Sequence, residues 1–260
     1  MTIDTYIKAR RISRKGSNEM GLMTQGDTID DGKGRTALKA LVILAHPERR
    51  SFNGAMADAA VETLKRAGHE VALSDLYRMG FDPVSDRRNF IGAKNPDYYK
   101  QQVEEDHASE SHGFAPDIEA EIAKMEAADL MIWQFPLWWF GLPGILKGWV
   151  DKVFAFNRVY GRGRFYEKGL YRGKRAMLSL TTGGSGEAAY QPGGFNGDIN
   201  GILRPIQRGM LEFVGYDVLK PQIVWGPAQA TDEERQAHLA KWRERLTMIA
   251  QEEPIVVGQY

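Results

Sequence analysis

Strand-like runs alternating with helical patterns constrain this chain more than any other feature of its sequence. ALKALVILAHP (37–47) opens on a continuous apolar stretch and stops abruptly at a turn, and DLMIWQFP (129–136) and RAMLSL (175–180) behave alike. Unbroken apolar runs suit strands buried on both faces, which are mostly strands of a parallel sheet sandwiched by helices. HEVALSDL (69–76) and YDVLKPQIVWG (216–226) read as two further strands. Helical patterns occupy SFNGAMADAAVETLKRA (51–67, with Ser51 as its cap), PDIEAEIAKMEAA (116–128), LPGILKGWVDKVF (142–154), ILRPIQRGMLEFVG (202–215) and TDEERQAHLAKWRERLTMI (231–249). Thr231 and Glu234 have the spacing of a capping box. Residues 77–116 form a long polar excursion, a kind of connection that is often functional. The expected fold is α/β: a doubly wound parallel sheet with helices on both faces. The expected division is a flexible arm over 1–36, one domain over 37–250 and a short tail over 251–260.

In such a sheet, ligands bind at the carboxyl ends of the strands. Three loops lie there. HPERRSFN (46–53) lacks both the GxxxxGK[ST] and the GxGxxG phosphate patterns, but carries His46, Arg49, Arg50, Ser51 and Asn53 just before a helix. Helix N-termini favour anions; packing at a strand end is the alternative role for His46. PLWWFGLP (136–143) sets Trp138, Trp139 and Phe140 between Pro136 and Pro143, flat surfaces suited to a planar ligand, to the core or to a subunit interface. TTGGSG (181–186) combines hydroxyls at Thr181 and Thr182 with Gly183, Gly184 and Gly186, where main chain can approach a ligand closely. Together the three fit a flavin nucleotide.

Composition narrows the remaining classes. Lys plus Arg and Asp plus Glu each number 34, so no net charge points to nucleic acid. There is no cysteine, hence no disulfide or thiolate chemistry, and the five histidines include no HExxH spacing, so no catalytic metal is expected. No apolar stretch reads as a signal peptide or membrane span, and a cytoplasmic location is expected.

LVILAHPERRSFNGAM, SDLYRMGFDPVSDR, ADLMIWQFPLWWFGLPGILKGWVDKVF, LSLTTGGSG and NGDINGILRPIQRGMLEFVGYDVLKPQ, in this order and spacing, resemble the flavodoxin-like NAD(P)H:quinone oxidoreductases of the DT-diaphorase type over about residues 37–249. The resemblance implies a flavodoxin-like fold, FAD rather than FMN, and NADH or NADPH as hydride donor. It also implies a quinone or similar aromatic acceptor, ping-pong kinetics, and a homodimer with shared active sites. Carried over by position, it assigns His46, Ser51, Phe52 and Asn53 to the phosphate and adenosine region of the cofactor, and Arg235 to its adenine end. Pro136, Leu137, Trp139 and Phe140 fall along the flavin, and Thr181, Thr182, Gly183 and Gly184 on the loop that bonds its ring and ribityl chain. Gln101 matches a residue reaching the other subunit's FAD, and Tyr160 a tyrosine lining the partner's quinone pocket.

Three departures stand out. Trp138 replaces a smaller polar residue, Arg162 a second pocket tyrosine, and Asn196 a histidine that acts with a tyrosine, here Tyr190, on the reduced flavin. Asparagine donates hydrogen bonds but cannot carry a proton charge near neutral pH. Were the segment extended, Tyr160 and Arg162 would point the same way and present a ring and a cation to the acceptor; a pairing of Arg162 with Glu167 is the alternative. The substituted site also suits a flavoprotein regulatory subunit of a potassium efflux system, with a peripheral contact to a membrane protein. An FMN-dependent azoreductase or FMN reductase is the remaining alternative.

Overall fold

The computed structural model describes residues 37–258. The expected arm over 1–36 lies outside them. Strands β1 (Lys39–Leu44), β2 (Glu70–Asp75), β3 (Leu130–Pro136), β4 (Arg175–Thr181) and β5 (Asp217–Val218) form a parallel sheet in the order β2-β1-β3-β4-β5, with β6 (Gln222–Val224) also paired to β4. The chain steps one way from β1 to β2 and the other way to β3, which puts the topological switch between β1 and β3.

The period of two explains why these strands read as unbroken apolar runs. Leu41 and Ile43 face one core with Met131, Trp133 and Phe135, whereas Ala40, Val42 and Leu44 face another with Leu130 and Ile132. Helices α1 (Phe52–Arg66) and α6 (Asp232–Thr247) cover the second core, where Trp242 donates its indole N–H to the Met56 carbonyl at 3.1 Å. Helices α3 (Pro116–Ala127), α4 (Gly144–Val153) and α5 (Ile199–Ile206) contribute to the first. There the indole of Trp149 donates to the fully buried Glu121 carboxylate at 2.8 Å, and Ser74 and Lys124 donate to the same group.

Local chemistry fixes the ends of these elements. The Ser51 hydroxyl caps α1 by accepting the Gly54 N–H at 3.2 Å, and the Thr231–Glu234 box closes the start of α6 in both directions. Gly148 lets α4 press against the β2–α3 connection, since a Cβ there would lie 2.3 Å from the Pro83 carbonyl oxygen.

Three elements differ from the sequence reading. The polar excursion holds a helix, α2 (Gln101–Ser111). The run over 216–226 is two short strands, because the stretch between them contains Pro221, which has no N–H to give a ladder. The helix expected at 202–215 starts at Ile199 and widens into a π-helical stretch (Gln207–Glu212) just after Pro205, which leaves one helical hydrogen bond unmade.

Candidate functional site

Because β1, β3 and β4 are neighbours, the loops that follow them meet at one sheet edge. Below this edge Asn53, in the first turn of α1, ties that helix to β3 and β4. Its amide donates to Thr181 Oγ1 at 2.9 Å and accepts from Gln134 Nε2 at 2.8 Å, with all three side chains buried. Gln134 was not foreseen, although a lone amide inside an apolar strand was the available signal. Its Oε1 is buried without a partner among the described residues.

The β1 loop is held by its own charges. Arg49 bonds the Gly54 carbonyl and Asp58, and its Nε lies 3.3 Å from Asp75, so that cation is spent within the chain. Arg50 is 91% exposed and pairs loosely with Glu48, whose carboxyl is held below its usual range by the Arg50 amide and guanidinium. His46 Nδ1 meets the Glu48 backbone at 3.0 Å, and its ring lies 6.2 Å from that of Trp138. Phe52 packs against the second core, at the start of α1.

The β3 loop departs furthest from ordinary backbone. Gly141 N–H closes a turn onto the Trp138 carbonyl at 3.0 Å, and the central residues Trp139 and Phe140 have φ of 50° and 57°. Such angles are strained in non-glycine residues and cluster at functional sites. The strain is not repaid by burial, since Trp139 is 97% exposed and Phe140 and Trp138 are also exposed. Pro136 ends β3 inside the sheet, and Leu137 extends the ladder by donating to the Thr181 carbonyl at 2.8 Å.

In the β4 loop, Thr182 is committed internally. Its N–H donates to Val224, and its hydroxyl accepts the Gly226 N–H at 3.2 Å and donates to the Gly183 carbonyl at 3.4 Å, so it shapes the loop and has little donor capacity to spare. Gly183 is exposed, and a Cβ there would meet no atom within 4 Å. Gly184 is also exposed but has Gln229 beside it, 2.5 Å from where its Cβ would stand. Arg235 is turned to that neighbour's loop: its guanidinium bonds the Pro227 and Ala230 carbonyls and Asp232. Beyond the glycines, Tyr190 is buried with its ring 5.1 Å from that of Trp225. Asn196 is half-buried, its backbone N–H tied to the Ala189 carbonyl at 2.8 Å, and Phe195 beside it is 95% exposed.

Gln101 and Tyr160 stand elsewhere, and together. Both line a hollow with Glu105, Met210 and Phe213. Gln101 bonds its own chain, donating to the Asp151 carbonyl at 2.9 Å and to Glu105 at 2.8 Å. Asp151 is in the last turn of α4, whereas the β3 loop enters its first, so about 10 Å of helix separates the two ends. The Tyr160 ring is wedged among Phe156, Phe165 and Phe213, and its hydroxyl accepts from Gln102 at 3.1 Å. Burial pushes the phenol pKa up against that hydrogen bond.

The extended geometry expected for Tyr160 and Arg162 is absent. Gly161 and Arg162 have φ of 107° and 55°, so the chain turns between the two side chains. Arg162 pairs not with Glu167 but with Asp106 at 2.7 Å and Glu110 at 3.3 Å, two carboxylates that neutralise the charge expected to face the acceptor.

Known proteins resemble this chain in sequence and fold. A family model described as a flavodoxin-like fold matches residues 38–246. The NAD(P)H dehydrogenase [quinone] 1 of Cavia porcellus is 48% identical over 84% of this chain and 79% of its own length. The ribosyldihydronicotinamide dehydrogenase [quinone] of Homo sapiens is 44% identical, covering 84% of this chain and 94% of that protein. A solved structure from Klebsiella pneumoniae, assigned provisionally as a quinone reductase, superposes with a TM-score of 0.81 at 39% identity, over 84% of this chain and 87% of that one. With the family model spanning residues 38–246 and these relatives alike over 84% of the chain, this chain belongs to the flavodoxin-like NAD(P)H:quinone oxidoreductase family.

Proposed function

We propose that this chain is a two-electron NAD(P)H:quinone oxidoreductase that holds FAD, in preference to FMN, across the three loops. Donor and acceptor take turns in one space, and a second copy of the chain completes each site. The observation that carries this reading is the Trp138–Gly141 turn: strained backbone spent on exposing aromatic faces beside the open main chain of Gly183. Those residues fit a flat, hydrogen-bonding cofactor. A bound flavin supplies the two-electron chemistry, and the protein supplies place and electrostatics.

The chain's own residues divide the remaining work. Trp138, Trp139 and Phe140 cover a planar face and exclude water. His46, Ser51 and the start of α1 form the anion-favouring end. Asn53 fixes that end to the sheet from below. Thr181, Thr182 and Arg235 are positioning residues, the last through the loop that carries Gln229 to Gly184. Tyr190, buried against Trp225, and the half-buried Asn196 follow the glycines of the β4 loop, and Asn196 offers a hydrogen bond without a charge.

Gln101 and Tyr160 lie at the far end of α4 from the β3 loop, a separation that a two-fold pair of chains closes by bringing one copy's hollow to the other's loops. The test is to identify the flavin released on denaturation and to follow turnover of a simple quinone at several NADH and NADPH concentrations, with sedimentation of the same sample. FAD, parallel double-reciprocal lines and a dimer are expected. FMN alone, absence of turnover or a fully active monomer overturns the corresponding part.

A further inference from the structure

Helix α2 buries little: Glu104, Glu105 and Ala108 are its buried residues. Its polar side chains nevertheless recur as doublets four residues apart, Gln101 and Gln102, Glu105 and Asp106, Ser109 and Glu110, which form one stripe along a helix. Each doublet is bonded to the segment between Asp151 and Arg162. Gln101 donates to the Asp151 carbonyl at 2.9 Å and Gln102 to the Tyr160 hydroxyl at 3.1 Å. Glu105 Oε2 accepts the Phe156 N–H at 2.8 Å, and the Ser109 hydroxyl shares its one proton between the Glu105 carbonyl oxygen at 2.7 Å and that of Phe156 at 3.0 Å, so the N–H carries the stronger hold. Asp106 and Glu110 take the Arg162 guanidinium.

The geometry points to α2 as a clamp that positions the Phe156–Arg162 loop, and Tyr160 with it, for the acceptor, with Glu105 as the positioning residue at its centre. The inference rests on the proposed placement of Tyr160 at the acceptor pocket. The loop needs such a device, because Asn157 and Arg162 both have positive φ, at 68° and 55°, and a loop left to itself relaxes out of that region. Glu105 suits the centre because its two oxygens serve two donors, the Phe156 N–H and, at 2.8 Å, the Gln101 amide. Asn and Gln cannot accept at two atoms in this way. Arg162 thereby acquires a role different from the one its sequence position suggests: it anchors the end of the loop and does not face the acceptor.

The test uses the flavin-loaded protein. In Glu105→Ala, amide hydrogen exchange over residues 155–165 is expected to run about tenfold faster, the scale of one lost buried hydrogen bond. Exchange in β1 and β3 should stay put, flavin content should be unchanged, and the quinone KM should rise more than kcat falls. Glu105→Gln, which keeps an acceptor for the Phe156 N–H, should restore slow exchange. Ser109→Ala should show a smaller acceleration in the same segment and keeps the test available if Glu105→Ala does not fold. Unchanged exchange over 155–165, or acceleration spread evenly through the molecule, overturns the clamp. Acceleration confined to the loop with an unmoved quinone KM upholds the clamp and removes Tyr160 from the acceptor pocket, so the two failures are distinguishable.

Discussion

At the scale of single residues, the neighbouring glycines Gly183 and Gly184 pose different problems. A side chain at Gly184 would collide with the Gln229 amide, so its loss of cofactor would have two explanations. At Gly183 the space belongs to nothing in the chain, and the residue is not in the left-handed region. Gly183→Val should therefore fold with a melting temperature close to that of the parent and purify with most of its flavin missing. Absorbance of the purified variant against protein concentration measures this, and full occupancy would show that the ligand does not approach this main chain. The charged residues teach a complementary lesson. Arg49 looks free in the sequence and Arg162 has Glu167 as its nearby candidate partner, yet Arg49 is committed and Arg162 pairs with carboxylates more than 50 positions away. Residue type and local spacing reveal a cation, and only the fold reveals whether its charge is already used.

At the scale of elements, the sheet edge is held by a bond pattern as well as by packing. Asn53 links α1 to Gln134 of β3 and Thr181 of β4, all away from water. Asn53→Ala strands two buried polar side chains and should cost about 1–3 kcal/mol. Denaturant titration of the flavin-free protein reads that cost directly, and a loss well under 1 kcal/mol would mean that water takes over the vacated bonds. Strands β1, β3 and β4 and helices α1 and α6 were legible because each obeys a simple rule: continuous apolar runs for two-sided burial, hydroxyl caps and a capping box for helix starts. Helix α2 was not legible, because the pattern that reveals a helix is apolar and this one buries carboxylates. The break between β5 and β6 was written in the sequence at Pro221, and the residues around it masked the break by reading as a single strand.

At the scale of the whole molecule, Glu105 connects the site's surroundings to overall stability. Burial raises its pKa, hydrogen bonds from the Phe156 N–H and Gln101 oppose the shift, and the Asp151 charge adds to it. Lys147, which pairs with Asp151, and Tyr160 line the same hollow. A raised carboxyl pKa means that the folded chain keeps a proton which the unfolded chain has already released. From about 4.3, the ordinary glutamate value, up to the raised one, this group's contribution to stability therefore falls as pH rises. Below that window the penalty vanishes. In Glu105→Gln, which cannot ionise, that downward contribution is absent, so above about pH 4.3 its unfolding free energy relative to the parent's should improve as pH rises. Identical slopes for the two proteins would mean that the carboxyl titrates alike in both states. The fold class and the edge that carries the loops were readable from alternation alone. The grouping of Gln101 with Tyr160 at the far end of α4 was not, because it depends on where a polar helix docks.

That separation along α4 has a consequence for mixtures of chains. If the loops of one copy work only with the hollow of another, a defect in the loops and a defect in the hollow are complementary lesions. Gly183→Val and Tyr160→Ala should each be nearly inactive alone. Refolded together in equal amounts, they pair at random, and half of the pairs hold one chain of each kind. Each such pair contains one doubly damaged site and one assembled wholly from intact parts, so about a quarter of all sites recover. Activity regained on mixing, from two proteins that lack it, would count the chains in a working site without any structure of the pair. No recovery would place both halves of the site within one chain.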